Sequence, residues 1–381
     1  MKIIIITLIK GSFPFIEELS SQLENKGIEV ELFDMFDMYT LKKVDDKKVV
    51  NYHLRPLILR KICNIRFLGS IIRFFFYRLY FFINPLKSDH IAIHYVLPFY
   101  TFFVNSLKKH SKSISVCIWG SDFYRVSDEK RNKMKLLLDK SDSIIIGNIK
   151  MAEEFSSYYK DTFSDKIRNV GFGIGKLDLI KYLEDNFSKA AIKESINLPI
   201  SKLIITIGYN GLEAQQHLLI LESFNNIPAA IKNTIFIIIP FGYGGDLIYK
   251  NSVKNKLEAL NVVYRIYDNF ISNEDVAKIR LITDFAINAQ ISDAFSASIQ
   301  EHLYCNNVLL AGDWLPYSYF SNNNIKLWTF KENDLDEMVL KILSNFSYYS
   351  REVKMNKDKI YKLSSWNSRI NQWINVFENK L

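Results

Sequence analysis

Two acidic residues within residues 292–312 stand at a spacing that suits the binding of a polyhydroxylated ligand. The stretch reads SDAFSASIQEHLYCNNVLLAG and carries Asp293 and Glu301, with the hydroxyls of Ser296 and Ser298 between them. If a helix begins near Ser298, Asp293 lies in the preceding loop and Glu301 in the first turn, where the helix dipole favours a carboxylate. Carboxylates in such a loop can accept hydrogen bonds from sugar and ribose hydroxyls. We predict that both acids face one pocket, with ordinary helix capping as the alternative.

Two more strand ends in the same half of the chain carry loops that suit a ligand. After LIITI, Gly208 and Gly211 permit a tight turn whose backbone N–H groups can hold a diphosphate. After the apolar run at 234–242, the glycines leave Tyr243 as the bulky side chain, placed to stack on a base or donate to a phosphate. The alternatives are an ordinary strand-to-helix connection and a surface tyrosine. Three such loops together favour a site for a nucleotide-activated sugar.

These loops depend on parallel strands, and apolar runs alternate with longer amphipathic stretches along the chain. The predicted strands lie at 3–9, 30–35, 91–96, 115–120, 143–148, 203–209, 234–242, 262–268, 284–290 and 308–312. Short β-rich runs separated by helical stretches predict parallel sheets with helices on both faces. The expected fold class is α/β, with two Rossmann-like doubly wound domains that face each other across a cleft. In such sheets ligands bind beyond the carboxyl ends of the strands.

The length of 381 residues is that of two domains rather than one. The predicted seam lies in 172–202, where a Gly-rich and then charged segment leads to Pro199. The predicted parts are an acceptor-binding domain at 1–180, a nucleotide-sugar-binding domain at 200–345 and a helical tail at 346–381. The tail has Trp366 and Trp373 on one helical face, so it either packs back on the first domain or forms a plain terminal amphipathic helix.

The composition, 48% hydrophobic and 24% charged with 8 prolines, is that of a globular protein and excludes a disordered chain. Cys63, Cys117 and Cys305 stand far apart without C-x-x-C spacing, so neither a disulfide framework nor a zinc site is expected. No metal or other cofactor is expected. The opening MKIIIITLIKGSFPF predicts a buried first strand rather than a signal peptide. We expect a cytoplasmic protein.

A basic segment at 47–88 carries nine of the lysines and arginines and no acid. Its apolar run is interrupted by Arg66, Arg73 and Arg78, too often for a spanning helix, which needs about 20 mostly apolar residues. Such a segment instead suits a helix in the lipid headgroup region, with Phe75 and its neighbours in the acyl boundary and the arginines on anionic phosphates. We predict peripheral binding to the inner membrane surface. The alternatives are aromatic packing in the core and, without a recognition module to support it, nucleic-acid binding.

The first half carries candidate residues for the acceptor after its strands. In SVCIWGSDFYRV, Asp122 follows a tight turn and can orient an acceptor hydroxyl or act as a base, unless it only caps a helix. His94 ends another strand and is a second catalytic candidate, although a lone histidine on an apolar strand is more often a core residue. Gly11 and Ser12, after the first strand, are predicted to line the acceptor entrance.

Several of these segments resemble bacterial glycosyltransferases of the GT-B fold. The residues Asp293 to Glu301 with HLYCNNVLLAG resemble the acid-x7-acid motif and the following strand of the large retaining family. GYNGLEAQQHLLIL and IIIPFGYGGDLIYKNSV are similar to segments of the Fuc4NAc transferase family of enterobacterial common antigen synthesis. Trp119-Gly-Ser-Asp resembles the His-Gly-Ser-Asp loop of the same enzymes. The resemblance covers most of 203–315 and is weaker before it.

The resemblance implies that Asp293 contacts the transferred sugar and Glu301 the nucleotide ribose. The residues that it places at the diphosphate are Gly208, Asn210 and Gly211. The chain departs from the pattern because the first acid is usually Glu and because Asn306-Asn307 replaces the usual Gly-x-Pro. The Arg and Lys that commonly neutralise the diphosphate in this family are missing, and their place is taken by Gln215, Gln216 and His217.

We therefore expect a glycosyltransferase of the hexosyltransferase type that uses a nucleotide sugar in bacterial polysaccharide biosynthesis. The basic aromatic segment favours a lipid-linked oligosaccharide acceptor, as in O-antigen, lipopolysaccharide, capsule or common-antigen synthesis. No Asp-x-Asp motif follows a strand, so we expect metal independence, and the resemblance implies retention of the anomeric configuration. Two alternatives stay open: a nucleotide-sugar 2-epimerase of the same shape, and a glycosyltransferase-like membrane assembly subunit without turnover.

Overall fold

A computed structural model describes residues 1–7, 13–34, 68–83, 87–293 and 295–380. These residues form two compact units, Met1–Gly173 with Trp366–Leu381, and Ile174–Ser365. Each unit contains one six-stranded parallel sheet with helices packed against it. The predicted α/β class with two doubly wound sheets is confirmed.

The sheet of the first unit has the strand order β2-β1-β3-β4-β5-β6. Its strands are β1 (Lys2–Thr7), β2 (Glu29–Asp34), β3 (Ser88–His94), β4 (Ser111–Ile118), β5 (Ser143–Ile146) and β6 (Ile167–Arg168). Strand β1 lies between β2 and β3 and is covered on both faces, which explains its unbroken run of isoleucines. Alternate side chains of β1 point to opposite faces of the sheet. Ile3 and Ile5 belong to one core cluster, and Ile4 and Ile6 belong to another.

Six α-helices lie along the described residues of the first unit ahead of Gly173. They are α1 (Phe13–Glu24), α2 (Leu68–Ile83), α3 (Val104–His110), α4 (Ser121–Tyr124), α5 (Asp128–Lys140) and α6 (Ile149–Tyr158). Helix α2 packs one face into the core, where Tyr77 and Phe81 are buried against Phe33 with ring centroids 5.7 and 5.8 Å away. The alternative of aromatic core packing, rather than the prediction of membrane contact, therefore holds for this face. No helix within the described ranges is long and apolar enough to span a bilayer.

The sheet of the second unit has the strand order β12-β11-β10-β7-β8-β9. Its strands are β7 (Leu203–Ile207), β8 (Ile235–Pro240), β9 (Val263–Tyr267), β10 (Phe285–Asn288), β11 (Val308–Gly312) and β12 (Trp328–Phe330). This is the strand order of dinucleotide-binding Rossmann sheets. The first three strands are added towards one edge of the sheet and the next three towards the other, so the switch point lies between the first and fourth strands. Strands β7 and β10 are neighbours, so the loops that follow them share the switch point.

Eleven further helices lie along the described part of the second unit. They are α7 (Lys176–Asn186), α8 (Lys189–Ser195), α9 (His217–Glu222), α10 (Ala229–Lys232), α11 (Leu247–Ala259), α12 (Asn273–Ile282), α13 (Ala297–Tyr304), α14 (Ser318–Asn322), α15 (Leu335–Ser344), α16 (Phe346–Glu352) and α17 (Asn356–Ser364). Helices α16 and α17 thus belong to this unit, although the sequence places them in the tail.

Helix α18 (Trp366–Phe377) lies in the first unit and completes its core. Trp366 and Trp373 are buried with Ile3 and Ile5 of β1. The indole N–H of Trp373 donates to the Gly171 carbonyl at 3.0 Å. A large apolar side chain every seventh residue thus places one continuous stripe of the helix against the sheet.

Candidate functional site

The turn after β7 begins at Gly208, with φ of +63°, a conformation that favours glycine. A Cβ at this position would lie 2.9 Å from Nε2 of His217, so the turn passes directly over a buried imidazole. Burial lowers the pKa of His217 to about 4, so the ring is neutral at pH 7. Asn210 is buried, and its Oδ1 accepts a hydrogen bond from Leu212 N at 2.9 Å. Its side chain therefore shapes the turn.

The turn after β7 interlocks with the glycine-rich loop after β8. Gly211 N donates to the Tyr243 carbonyl at 2.8 Å. A Cβ on Gly211 would lie 2.5 Å from the Gly244 oxygen, and one on Gly245 would lie 2.1 Å from the Gly211 oxygen. The glycines of both loops are thus explained by their mutual close packing. The side chain of Tyr243 is exposed beside them, so it is open to a ligand.

Gln215 and Gln216 connect the turn after β7 to the loop after β10. Gln215 accepts a hydrogen bond from Tyr209 N at 3.2 Å and donates to Gln290 at 2.5 Å. Gln216 donates to the Ala289 carbonyl at 2.5 Å. Tyr209 adds a hydrogen bond from its hydroxyl to Gln290 at 2.6 Å. These side chains hold the two switch-point loops together.

The carboxylate of Asp293 is held through one oxygen. Its Oδ2 accepts hydrogen bonds from Ser296 N at 3.1 Å and from the Tyr317 hydroxyl. Asn288, the last residue of β10, donates to the same hydroxyl at 2.8 Å. Burial, followed by the charge of Asp293, raises the pKa of Tyr317, so the phenol stays protonated and donates. Among the described residues, Oδ1 of Asp293 has no hydrogen-bond partner.

Helix α13 begins one residue earlier than predicted, at Ala297, with Ser296 as its N-cap. The Ser296 hydroxyl accepts from Ile299 N at 3.4 Å. Glu301 is therefore the fifth helical residue, and the prediction that it lies in the first turn is wrong. The helix dipole is weaker there, so other groups must hold this carboxylate.

Two cations hold Glu301, which is only 2% exposed. Arg280 Nε lies 3.1 Å from Oε2, and Lys176 Nζ lies 3.2 Å from Oε1. Arg280 also donates through Nη2 to the Ser298 hydroxyl at 2.7 Å. The predicted ligand residues Glu301 and Ser298 are thus joined by one buried arginine. We refer to Lys176, Arg280, Ser298 and Glu301 as the Glu301 cluster.

Asp122 lies in the first unit and braces two strand ends. It is buried, Oδ2 accepts from Val96 N at 2.9 Å, and Oδ1 accepts from Trp119 N and Gly120 N, each at 2.9 Å. Burial raises the pKa of Asp122 to about 6, although its backbone hydrogen bonds act in the opposite direction. These contacts join the loops after β3 and β4.

His94 lies inside the first unit, where no part of its ring reaches solvent. Trp373 stacks on it at 5.8 Å between ring centroids, and Cys117 Sγ lies 3.4 Å from Nε2. Burial lowers the pKa of His94 to about 3, so the imidazole is neutral at physiological pH. This environment is that of a core histidine.

The remaining predicted residues fall in and around α2 and the first loop. Gly11, Ser12 and Arg66 lie outside the described residues, and so does the side chain of Arg73. Phe75 and Arg78 are both exposed on α2. Within the described ranges, no three His, Cys, Asp or Glu side chains lie together in a group that could hold a metal ion.

Sequence reasoning missed Tyr317 and Arg280, two side chains that position the predicted acids. Tyr317 follows β11, so the strand-end rule applied to one more strand would have found it. Arg280 stands between Ile279 and Ile282 on α12, and an arginine at a buried helical position signals a buried partner. No feature of the sequence indicates that Lys176 contacts Glu301.

No protein-family model matches the chain, and no curated protein sequence matches it. Solved structures do match over its whole length. A glycosyltransferase from Rickettsia africae aligns with a TM-score of 0.73 at 15% identity, covering 99% of this chain and 98% of that one. WaaG, a glycosyltransferase of lipopolysaccharide biosynthesis, aligns at 0.66 and 10% identity, covering 99% of both chains. The UDP-GlcNAc 2-epimerase of Neisseria meningitidis, bound to UDP-GlcNAc, aligns at 0.63 and 12% identity over 100% of both. With its two parallel sheets, the chain therefore has the GT-B fold.

Proposed function

We propose that the protein is a glycosyltransferase that moves a sugar from a nucleotide-diphosphate sugar to a glycan acceptor. The observation that carries the proposal is the setting of Asp293 beside the switch point of the second sheet. Tyr317 and Ser296 N fix one carboxylate oxygen, and the other has no partner among the described residues. A carboxylate fixed in this way is ready to accept a hydroxyl of the transferred sugar.

The donor diphosphate, in this proposal, lies over the interlocked turns that contain Gly208, Asn210, Gly211 and Tyr243. Ligands of Rossmann sheets bind at this position, beyond the carboxyl ends of the strands at the switch point. The exposed ring of Tyr243 is available to stack on the base or to donate to a phosphate. Donors fixed near the leaving diphosphate stabilise the negative charge that develops during transfer.

The ribose, in the same proposal, is bound at the Glu301 cluster. A carboxylate offers about four lone-pair positions, and Arg280 and Lys176 occupy one on each oxygen of Glu301. The remaining positions can accept two vicinal ribose hydroxyls. The side chain of Lys176 is partly exposed, so solvent reaches one side of the cluster. The acid-x7-acid spacing of Asp293 and Glu301 supports retention of configuration.

A lipid-linked acceptor at the inner membrane surface is supported by the outer face of α2. Ile71, Phe75 and Leu79 stand four residues apart and are 55%, 63% and 59% exposed. Phe102 extends this stripe at 67% exposure, and its ring meets that of Phe74 at 5.4 Å. Apolar side chains of this size are rarely exposed together on a helix that also carries basic residues, unless they meet a membrane or a partner. The name of the WaaG neighbour, from lipopolysaccharide biosynthesis, fits the same class of acceptor.

A turnover assay with a panel of nucleotide sugars tests the proposal. We expect release of free nucleotide that depends on a bacterial lipid-linked oligosaccharide extract and persists in EDTA, because transfer is proposed to be metal-independent. Asp293→Asn should lower the rate by about 100-fold or more, since it removes the charge beside the transferred sugar. Asp336→Asn, at an acid in the first turn of α15, is the matched control and should leave the rate unchanged.

The other two candidate functions give different results in the same assay. Epimerised donor without transfer would identify an epimerase, which the UDP-GlcNAc 2-epimerase neighbour keeps open. Absence of turnover with every donor and acceptor would instead favour an assembly subunit without activity.

A further inference from the structure

Three aromatic rings meet at the carboxyl edge of the first sheet. Phe15 lies near the start of α1, Trp119 follows β4, and Phe172 lies after β6. Their ring centroids are 6.0 Å apart for Phe15 and Trp119, 5.7 Å for Phe15 and Phe172, and 5.0 Å for Trp119 and Phe172. Phe15 is 43% exposed and the other two rings are half-buried. We refer to these three residues as the aromatic platform.

Two hydroxyl groups lie on the loops next to the platform. Tyr95 follows β3 and has φ of +66°, which side-chain-bearing residues adopt rarely and at an energetic cost. Ser121, two residues after Trp119, donates a long hydrogen bond of 3.4 Å to the Tyr95 hydroxyl. Both residues are only half-buried. The two hydroxyls thus lie on the loops that follow β3 and β4, neighbouring strands of the sheet, and Trp119 follows β4 as well.

Asp122, three residues after Trp119, does not give this surface a negative charge that is open to a ligand. Asp122 is buried, and its two oxygens accept three backbone hydrogen bonds. The nearest imidazole, His94, is buried beneath Trp119 with 6.0 Å between ring centroids, and burial lowers its pKa to about 3. Neither Asp122 nor His94 therefore presents a charge to a ligand on the aromatic platform.

We propose that the aromatic platform binds the neutral pyranose ring of the acceptor. This inference rests on the glycosyltransferase function proposed above. A pyranose has an apolar C–H face that packs on aromatic rings and a rim of hydroxyls that need hydrogen-bond partners, here Tyr95 and Ser121. A lipid chain in the same place would offer these two hydroxyls no hydrogen-bond partner beyond each other, which disfavours it.

Saturation-transfer NMR with methyl pyranosides as probes tests the platform directly. The probes are the methyl glycosides of glucose, galactose, N-acetylglucosamine and rhamnose. We expect transfer to the ring C–H protons of at least one probe. Trp119→Ala should reduce this transfer by about fivefold, whereas Trp119→Phe should keep most of it because an aromatic face remains. Phe187→Ala removes an exposed aromatic ring of the second unit and is the matched control.

Two results would overturn the platform: no transfer to any of the four probes, or equal transfer in the wild type and Trp119→Ala. If Trp119→Ala does not fold, Phe15→Ala replaces it, since Phe15 is partly exposed and its truncation disturbs the core less. Nucleotide release in the presence of the lipid-linked oligosaccharide extract, measured on the same variants, separates the two proposals. If Trp119→Ala loses glycoside binding and the wild type turns over no donor, the platform is retained and the transferase proposal is rejected. If the wild type turns over donor and Trp119→Ala has an unchanged acceptor KM, the transferase proposal is retained and the platform is rejected.

Discussion

At the scale of single residues, the proposed chemistry depends on how Asp293 is held. The Tyr317 hydroxyl donates to its Oδ2 and accepts from Asn288. Tyr317→Phe removes this link while keeping the ring, so Asp293 should lose its fixed orientation. We expect kcat to fall by about tenfold with little change in the donor KM, because positioning matters most in the transition state. Steady-state kinetics with the active donor measure this, and an unchanged kcat would reject the positioning role.

The ribose role of Glu301 is separable from its structural role. Glu301→Gln should weaken binding of the preferred nucleoside diphosphate by about tenfold, through loss of a charge-assisted hydrogen bond, and leave inorganic pyrophosphate binding unchanged. It should also lower stability, because Arg280 is left buried without its anion. Titration calorimetry with both ligands distinguishes the two effects. Equal affinity of the variant and the wild type for the nucleotide would leave Glu301 a purely structural residue.

The sequence predicted where residues lie along the strands better than what their side chains contact. Gly208 and Asp293 follow neighbouring parallel strands, so the strand-end rule alone places them at one edge of the sheet. The partners of Glu301 come from α12 and α7, and nothing in the sequence spacing connects those helices to α13. Asp122 looked like a base because a turn precedes it, but its contacts with Val96 N and Trp119 N depend on the pairing of β3 with β4.

At the scale of elements, α2 has apolar side chains on both of its faces. One face is buried with Phe33 and Phe103, whereas Ile71, Phe75 and Leu79 are exposed. Replacing these three by Ser should reduce co-sedimentation with phosphatidylglycerol vesicles by about tenfold or more, since each buried apolar side chain contributes about 1–2 kcal/mol. Because the three are exposed, the fold should survive.

The paired control for this experiment is Leu247→Ser with Ile248→Ser at the start of α11. These side chains are 75% and 79% exposed, so they match the stripe in exposure but lie in the second unit. Equal loss of vesicle binding in both variants, or none in the α2 variant, would show that α2 does not attach the protein to the membrane.

The sequence predicted the long elements and missed the short ones. Each of the ten predicted strands overlaps an observed strand, whereas β6 and β12 were not predicted. These edge strands have only two and three residues, too few for a period-two pattern to show. For α2, periodicity alone did not separate membrane contact from core packing, because the helix is apolar on two faces.

At the scale of the whole molecule, buried histidines make the stability of the fold depend on pH. Burial lowers the pKa of His90 and His94 to about 3, that of His217 to about 4 and that of His302 well below 6.5. Unfolded chains bind protons at these sites below about pH 6.5, and the folded state does not, so stability falls as pH drops below 6.5. Asp122 has the opposite sign, because burial raises its pKa to about 6 and the folded state takes up a proton first.

Each histidine should contribute a slope of about 1.4 kcal/mol per pH unit below its unfolded pKa. His90 is the best site for the test, because its ring hydrogen-bonds Ser113 and Ser115 and His90→Asn keeps a polar partner there. The free energy of unfolding, measured with urea between pH 7 and 4.5, should depend less steeply on pH in this variant than in the wild type. A slope equal to that of the wild type in His90→Asn would contradict the assignment.

The two-sheet fold was predictable because parallel strands covered on both faces need unbroken apolar runs, and the chain shows these runs twice in succession. The order of the strands was not, since no local pattern states which strand pairs with which. The exchange of α18 into the first unit was predictable only in part. Its tryptophan stripe predicted packing on the first domain as one alternative, but the same stripe also suits a plain terminal amphipathic helix.

The return of α18 determines when each half of the protein can finish folding during synthesis. The core of the first unit needs Trp366, Ile370 and Trp373, and these residues are synthesised after the whole of the second unit. The second unit, Ile174–Ser365, is complete in the growing chain before α18 has emerged. The first unit therefore completes its core only after the second unit has been synthesised, and until then β1 lacks the cover that one of its faces requires.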